Sequence, residues 1–292
     1  PYRAQKHAIR DIVNVINAGC KSPDQAVWAV EGDIQGCFDN ISHRILLQKV
    51  WRMGIHDKRV LKIISQMLKA GYIEQDLYHQ TATGTPQGGI LSPLLSNIYL
   101  NDFDWYVGRT YMEPHRKCKH KCNDTRRLKW AGTTPKYNFR YADDWVVLTS
   151  TEKEAFRMKR ELTKYFRQKL KLELSQEKTY VTDLRKGGIH FLGYIVKAER
   201  KRKTPNPATW TEHLVGKPLP DMERLSKKIG SLLEQVHRIE LYSKPNTQAA
   251  QIQYVNSIIL GLAQYYQPSI CSHARRTPSA SAAATRATGS RG

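Results

Sequence analysis

Acidic residues are scarce in this sequence. Aspartate and glutamate together number 26 against 47 lysines and arginines, which leaves a formal net charge of +21. An excess of that size argues against a basic partner and favours a polyanion, with nucleic acid as the first candidate. A soluble protein whose surface is simply basic is the alternative.

Cysteines and long apolar runs are also few. The five cysteines are odd in number and unevenly spaced, which excludes a disulfide framework and favours a reducing compartment. No apolar run is long enough to cross a bilayer, and no signal peptide is visible. We therefore expect an intracellular protein with no membrane partner, in the bacterial cytoplasm or in an organelle (mitochondrion or chloroplast). An organellar targeting peptide stays open, because the sequence begins as if in mid-domain.

Two of the few acidic residues are adjacent and stand in an apolar setting. Asp143 and Asp144 lie between an alternating run at 137–141 and an apolar run at 145–148, which predicts two strands joined by a tight hairpin. Aspartate is a favoured turn residue, so a solvated hairpin is one interpretation and a metal site is the other.

A third carboxylate favours the metal site. Asp33 lies near the end of another strand-like run, 27–34. Three carboxylates at adjacent strand ends repel each other strongly unless a cation neutralises them. Mg²⁺ suits such oxygen ligands, and two ions ~3.5–4 Å apart can activate a hydroxyl and stabilise a leaving pyrophosphate.

Five sequence blocks follow one another in an order that is informative about the family. They are residues 31–41 around Asp33, Thr-Pro-Gln-Gly-Gly-Ile-Leu-Ser-Pro at 85–93, Tyr-Ala-Asp-Asp at 141–144, Leu-Ser-Gln-Glu-Lys-Thr at 174–179 and Phe-Leu-Gly-Tyr at 191–194. Each alone is weak to moderate evidence, but together they make the chain resemble reverse transcriptases of the group II intron type, the reverse transcriptase/maturases. The resemblance covers roughly residues 2–195.

The resemblance implies a reaction and its site. A primer 3′-hydroxyl would attack the α-phosphorus of a deoxynucleoside triphosphate opposite an RNA template. Two Mg²⁺ ions are assigned to Asp33, Asp143 and Asp144, with the carbonyl of Ile34 as a further ligand; we expect Asp144 to bind most loosely. The nucleotide-binding residues implied are Phe38, Gln87 and Lys178, and the implied primer grip is Phe191, Leu192, Gly193 and Tyr194.

Two of these residues, Phe38 and Lys178, also have an alternative interpretation without a role in nucleotide binding. Phe38 would lie under the sugar and exclude a 2′-hydroxyl, or it is a core phenylalanine. Lys178 would approach the triphosphate, or it is a basic residue at a helix end. Gln87 lies in a glycine-bordered loop whose backbone can approach a nucleotide or template base closely.

A basic segment at 113–136 also allows two interpretations. His115, Cys118, His120 and Cys122 could bind zinc, but the cysteine spacing is unusual and the intervening lysines repel a cation. We favour a basic loop that binds RNA through Lys119, Lys121, Arg126 and Arg127. The cationic residues of the helix predicted after Ser150 are instead expected to form a solvated face.

The fold class expected is α+β, a right-hand polymerase palm with an antiparallel sheet and helices on one face, incomplete fingers and a partial helical thumb. Residues 1–26 are interpreted as a remnant of the fingers and 27–214 as the palm, with inserted fingers elements and the basic loop. Residues 215–267 are interpreted as thumb/maturase helices and 268–292 as a disordered tail, from its Ala, Ser, Thr, Arg and Gly content. Further fingers residues would come from upstream sequence or from another chain.

The expected function is therefore an RNA-directed DNA polymerase that also binds group II intron RNA to assist splicing and mobility. Its partners would be that RNA, an RNA template with a DNA primer, and deoxynucleoside triphosphates. The alternative is a non-catalytic RNA-binding component of a ribonucleoprotein, derived from a reverse transcriptase.

Overall fold

The structure is a computed structural model that describes residues 4–18, 25–69, 72–74, 77–79, 83–85, 91–112, 128, 130, 134–201, 213–239 and 245–269. Its helices are α1 (Gln5–Ala18), α2 (His43–Arg52), α3 (Lys58–Lys69), α4 (Ser92–Val107), α5 (Glu152–Tyr165), α6 (Met222–Ile239) and α7 (Pro245–Tyr265). Its strands are β1 (Trp28–Gly32), β2 (Tyr72–Glu74), β3 (Leu77–His79), β4 (Tyr137–Tyr141), β5 (Asp144–Thr149), β6 (Tyr180–Asp183), β7 (Ile189–Phe191), β8 (Tyr194–Lys201) and β9 (His213–Pro220). Single π-helical turns, Gly108–Met112 and Phe166–Leu170, extend α4 and α5.

The central sheet has four antiparallel strands in the order β4-β5-β1-β6. Strand β5 occupies an interior position, and its residues from Trp145 to Thr149 are all buried, as its nearly unbroken apolar sequence predicts. The predicted β4–β5 hairpin is confirmed, with Tyr141 opposite Asp144. The connecting turn is Ala142-Asp143, so Asp144 is the first residue of β5 rather than part of the turn.

Helices α2, α4 and α5 cover one face of this sheet. Their apolar residues and those of the sheet form one core, which includes Val30, Leu46, Tyr99, Phe103, Val147, Met158, Leu162 and Phe166. Each large apolar side chain buried in such a core stabilises the fold by about 1.5–3 kcal/mol. On this side of the sheet, the helices predicted from the sequence to pack on one face are present.

The opposite face carries a second core that the sequence did not predict. Helix α1 packs there through Ile9, Ile12 and Ile16, together with a three-stranded antiparallel sheet of order β7-β8-β9. Asn17 Oδ1 accepts a hydrogen bond of 2.9 Å from the backbone N–H of Gly216 in β9. Helix α1 is therefore tied to the second sheet, through an amphipathic face that the sequence shows without showing its partner.

The β7–β8 hairpin turns through Leu192 and Gly193, which have φ angles of 51° and 72°. Two successive residues in the left-handed region characterise the tightest hairpin turn, in which glycine avoids the strain of a Cβ atom. Strands β2 and β3 form a separate two-stranded sheet.

Helices α6 and α7 pack against each other at the C-terminal end of the described chain. Much of their apolar surface stays exposed, including Met222, Ile229 and Leu233 of α6 and Ile259 and Leu260 of α7. The end of α7 reaches the second core through Leu262, Tyr265 and Tyr266. Within the described ranges, no helix has both the length and the apolar character needed to cross a membrane.

Candidate active site

The register of β1 and β5 brings the distant aspartates to one edge of the sheet. Gly32, the last residue of β1, pairs with Trp145, so Asp33, the residue that follows β1, continues the register toward Asp144. Residues that alternate along a strand share a face, and Val146 and Leu148 belong to the second core. Asp144 therefore lies on the face of the sheet that also carries the β7–β8 hairpin.

The electrostatics of Asp144 reflect this clustering. Burial raises the pKa of Asp144, and the negative charges of Asp143 and Asp33 raise it further, while Arg224 and Lys178 act in the opposite direction. Carboxylates held close together resist ionisation unless positive charge is added. The donors are all hard oxygens, so their chemistry fits Mg²⁺.

Lys178 is also brought to this edge. Its Nζ lies 3.0 Å from Oδ2 of Asp33, and the backbone of Ser175 donates a 3.0 Å hydrogen bond to the Asp33 carbonyl. Among the described residues, no group of three or more His, Cys, Asp or Glu side chains is arranged to hold a metal ion. In this arrangement Lys178 thus provides the direct positive partner of Asp33.

The backbone N–H and C=O of Ile34 are not used in its pairing with Leu174. Ile34 pairs with Leu174 in an isolated antiparallel bridge, and the flanking hydrogen bonds run from Gln35 N to Glu173 O and from Ser175 N to Asp33 O. In such a pair the N–H and C=O of Ile34 point away from the Leu174 segment. That direction suits the predicted carbonyl ligand.

Cys37 contributes no thiolate to this cluster. Its side chain is in the first core, and burial together with the charges of Asp143, Asp33 and Asp39 raises the pKa of Cys37 to about 12. The thiol therefore stays protonated and neutral at physiological pH.

The aspartate turn is braced from α4. Ala142 adopts a left-handed φ of 56°, which is unfavourable for a residue with a Cβ atom. Arg140 Nη1 donates a 2.7 Å hydrogen bond to the Ala142 carbonyl, and the same guanidinium holds both carboxylate oxygens of Asp104 at 2.7–3.0 Å. This pair links the strained turn to a helix buried in the first core.

The predicted sugar-contacting residue lies next to the same edge. Phe38 is partly buried and belongs to neither core cluster. Its carbonyl accepts a 2.6 Å hydrogen bond from Thr85 N, and Gly84 approaches so closely that a Cβ would lie 2.7 Å from the Asp39 carbonyl oxygen. The segment before the Gln87 loop is thus packed against the turn that contains Phe38. The interpretation of Phe38 as a core residue is weakened because Phe38 belongs to neither of the two cores formed by the described residues.

The predicted primer grip is attached to the last two helices. Tyr265 Oη donates a 2.5 Å hydrogen bond to the Leu192 carbonyl, and Asp221 N donates one of 3.1 Å to the Gly193 carbonyl. The Tyr194 hydroxyl in turn bonds to the Tyr265 carbonyl, and the two rings stack with centroids 5.6 Å apart. We call Tyr194, Tyr265 and Tyr266 the tyrosine cluster.

Glu31 joins the two sheets beneath this hairpin. Its carboxylate accepts hydrogen bonds from the Thr182 hydroxyl of β6 at 2.9 Å and from the backbone N–H of His190 in β7 at 3.1 Å. Burial raises the pKa of Glu31, although both hydrogen bonds act in the opposite direction. The hairpin is therefore held from β1 as well as from the tyrosine cluster.

Several predicted residues lie outside the described part of the chain. They are Gln87, the RNA-binding candidates Lys119, Lys121, Arg126 and Arg127, the alternative zinc ligands His115, Cys118, His120 and Cys122, and residues 270–292 of the predicted tail. These predictions stand as they were made.

Sequence reasoning missed Arg140, Asp104, Glu31 and Tyr265. A weak signal existed for Arg140, since Asn138 and Arg140 are the polar positions of an otherwise aromatic alternation. Their side chains both reach Asp104, which lies more than thirty residues away. Such a pairing depends on how α4 crosses the sheet, and the local pattern does not contain it.

Comparison with known proteins gives consistent matches. Residues 2–196 match the family described as reverse transcriptase (RNA-dependent DNA polymerase). The group II intron-encoded protein LtrA of Lactococcus lactis subsp. cremoris is 34% identical over 300 residues, covering 82% of this chain and 49% of the relative. Protein YkfC of Escherichia coli (strain K12) is 33% identical over 213 residues, covering 69% and 55%. The chain thus spans about half the length of the curated relatives it matches.

Among solved structures, telomerase from Candida tropicalis in complex with a fragment of telomeric RNA is similar with a TM-score of 0.48 and 12% identity. The match covers 92% of this chain and 43% of the telomerase. A similarity of this size carries no argument about function.

Proposed function

Because this chain belongs to the reverse transcriptase family, and within it to the group II intron-encoded type, we propose that it is an RNA-directed DNA polymerase that also binds intron RNA to assist splicing and mobility. The observation that supports the proposal is the pairing of β1 with β5 up to Gly32 and Trp145, together with the effect of the charges of Asp143 and Asp33 on the pKa of Asp144. Its substrates would be deoxynucleoside triphosphates and an RNA template with a DNA primer. The α+β fold agrees with a polymerase palm.

The mechanism follows from what each side chain can do. Asp33, Asp143 and Asp144, with the Ile34 carbonyl, would hold two Mg²⁺ ions. Bound there, the ions would lower the pKa of the primer 3′-hydroxyl and neutralise the pyrophosphate. Lys178 is 68% exposed and its Nζ pairs with Asp33, so it would be free to bind the triphosphate once Asp33 engages a cation. The Leu192-Gly193 turn would position the primer end, and positioning with charge neutralisation supplies most of the catalysis.

Primer extension tests the proposal. The whole chain, incubated with Mg²⁺, a polyriboadenylate template, an oligodeoxythymidylate primer and deoxythymidine triphosphate, is expected to lengthen the primer. No extension, combined with retained tight RNA binding, would leave the non-catalytic RNA-binding role. That second function is favoured by one observation, the ion pair that occupies Asp33.

Sugar selection gives a further prediction. Phe38→Ala is expected to admit ribonucleoside triphosphates, because removing the ring opens the space that a 2′-hydroxyl would need. The measurement is the ratio of kcat/KM for deoxythymidine and uridine triphosphates, and we expect this ratio to fall by about 10-fold or more, or roughly 1.4 kcal/mol of discrimination. Trp51→Ala, which removes an exposed aromatic ring from α2, is the control. Unchanged discrimination in Phe38→Ala would return Phe38 to a packing role.

The basic segment at 113–136 gives a prediction about RNA affinity. Replacing Lys119, Lys121, Arg126 and Arg127 with Ala is expected to weaken RNA binding and to reduce the slope of log affinity against log salt by about 3, if all four contact phosphates. The measurement is a binding titration at several salt concentrations. An unchanged slope would remove this segment from the RNA interface.

A further inference from the structure

Helix α5 carries a continuous cationic stripe on its outer side. Lys153, Arg157, Arg160, Lys164 and Arg167 are exposed and recur at alternating intervals of four and three residues, which places them along one side of a helix. At 1.5 Å per residue the stripe extends over roughly 21 Å. The inner side of the same helix packs into the first core through Ala155, Met158 and Leu162.

The acidic residues of α5 do not neutralise this stripe. Glu154 is used by Thr134, whose N–H and hydroxyl donate to it at 2.9 and 2.5 Å. Glu161 accepts from the Tyr111 hydroxyl and pairs with Arg157 at 2.8 Å. Two of the three carboxylates of α5 are thus committed to the fold, and of the stripe only Arg157 gains a partner from them. The third, Glu152, is exposed in the first turn beside Lys153 and has no ion pair with a described cation.

Three cations of the stripe are unpaired within the described chain. Arg167 pairs with Glu173 at 2.8 Å, whereas Lys153, Arg160 and Lys164 form no ion pair with a described carboxylate. Helix faces that are merely solvated commonly mix charges of both signs, because neighbouring opposite charges stabilise the helix. Lys153, Arg160 and Lys164 have no such partner among the described residues, so their charge remains available to an external anion.

The stripe borders an open groove of about 790 Å³. The residues that line it include five cations, two glutamines, a threonine and Phe156, and none of them is a carboxylate. Phe156 is 51% exposed, although an aromatic ring is normally buried. Basic side chains that follow a groove with an accessible ring are the combination by which proteins bind single-stranded nucleic acid, with phosphates on the cations and a base on the ring.

The groove lies on the opposite face of the central sheet from the candidate active site. Helix α5 packs against the first core, whereas Asp144 lies on the face of the second core. An RNA segment in the groove is therefore separate from a template–primer duplex held at the aspartates.

We propose that the outer groove of α5 binds a single-stranded segment of RNA, through phosphate contacts with Lys153, Arg160 and Lys164 and through a base stacked on Phe156. This gives the protein a second RNA contact besides the catalytic cleft and replaces the solvated face expected from the sequence. The inference rests on the RNA-binding part of the proposed function and does not depend on polymerisation.

The charge part is tested with the triple variant K153Q/R160Q/K164Q of the whole chain. With polyuridylate as the probe, we expect binding about 10- to 100-fold weaker at ~0.1 M salt and a salt slope smaller by about 2, since each phosphate contact on a single strand contributes about 0.7. The matched control is K58Q/K62Q/K69Q, which removes three exposed charges from α3. We expect the control to change affinity far less, and circular dichroism checks that both variants are folded.

The aromatic part is tested with Phe156→Ala. Loss of stacking is expected to weaken polyuridylate binding by about fivefold or more without changing the salt slope, because no charge is lost. A fully paired RNA duplex, whose bases cannot stack on the ring, should bind Phe156→Ala and the unaltered chain equally.

The proposal is overturned if the α5 and α3 triple variants lose the same affinity, or if Phe156→Ala binds polyuridylate as the unaltered chain does. An unaltered salt slope in the α5 variant would likewise exclude RNA and leave an acidic protein as the remaining kind of partner. Because binding is measured directly, a chain that uses the groove but extends no primer would refute the polymerase and keep this inference.

Discussion

Asp143→Asn is expected to reduce primer extension by at least about 10³-fold while leaving RNA binding in place. The substitution keeps the shape of the side chain and removes one of three clustered negative charges. Metal-ion catalysis contributes several kcal/mol of transition-state stabilisation, and each 1.36 kcal/mol corresponds to a factor of ten in rate. The measurement is the single-turnover rate of nucleotide addition at saturating Mg²⁺.

The matched control is Asp57→Asn, the same chemical change at the start of α3. Asp57 is partly exposed and binds Arg59, at a place that has no role in the proposed reaction. We expect this variant to extend primers at the normal rate. If Asp143→Asn were as active as Asp57→Asn, the three aspartates would not form a shared catalytic site.

Arg140→Ala is expected to lower primer extension by about 100-fold and to destabilise the fold by about 2 kcal/mol. Arg140 is almost fully buried, and Asp104 is about one-third exposed. Removing the guanidinium leaves a partly screened carboxylate with Asn138 as its remaining partner, so the cost is below the roughly 3–5 kcal/mol of breaking a fully buried pair. The left-handed Ala142 also loses the hydrogen bond that holds the aspartate turn.

A double-mutant cycle separates these effects. Unfolding in urea and single-turnover rates are measured for Arg140→Ala, Asp104→Ala and the double variant, and residues in contact should show a coupling of about 0.5–3 kcal/mol. Arg59→Ala, which breaks a pair at the surface, serves as the control and should change neither quantity. A coupling near zero would mean that Asp104 does not hold the turn through Arg140.

The sequence predicts the strands of the candidate site well because their signals are local. An apolar alternation with period two marks β4, an apolar run marks β5, and acidic residues at their junction mark a turn. The single strand at 28–32 carries the same kind of signal before Asp33. Because both apolar runs must be buried, the register in which these strands pair is strongly specified, and it directs Asp33 and Asp144 to the same end of the sheet.

The supports of the site are non-local, and the sequence does not predict them. The bond between Arg140 and Asp104 depends on the rotation of α4 about its axis. The contact between Tyr265 and Leu192 depends on where a helix ends after more than seventy intervening residues. The same reason explains why α1 could be predicted as an amphipathic helix, but not its position against β9.

The tyrosine cluster has a consequence for how the proposed polymerase would move along its template. Both carbonyls of the Leu192-Gly193 turn accept hydrogen bonds from the helical region. The donors are the hydroxyl of Tyr265 at the end of α7 and the backbone N–H of Asp221 just before α6. We therefore expect a tilt of these two helices to displace the turn as well. Translocation after each added nucleotide would then require the helices and the hairpin to shift together, so that grip on the duplex and alignment of its growing end change in a single step.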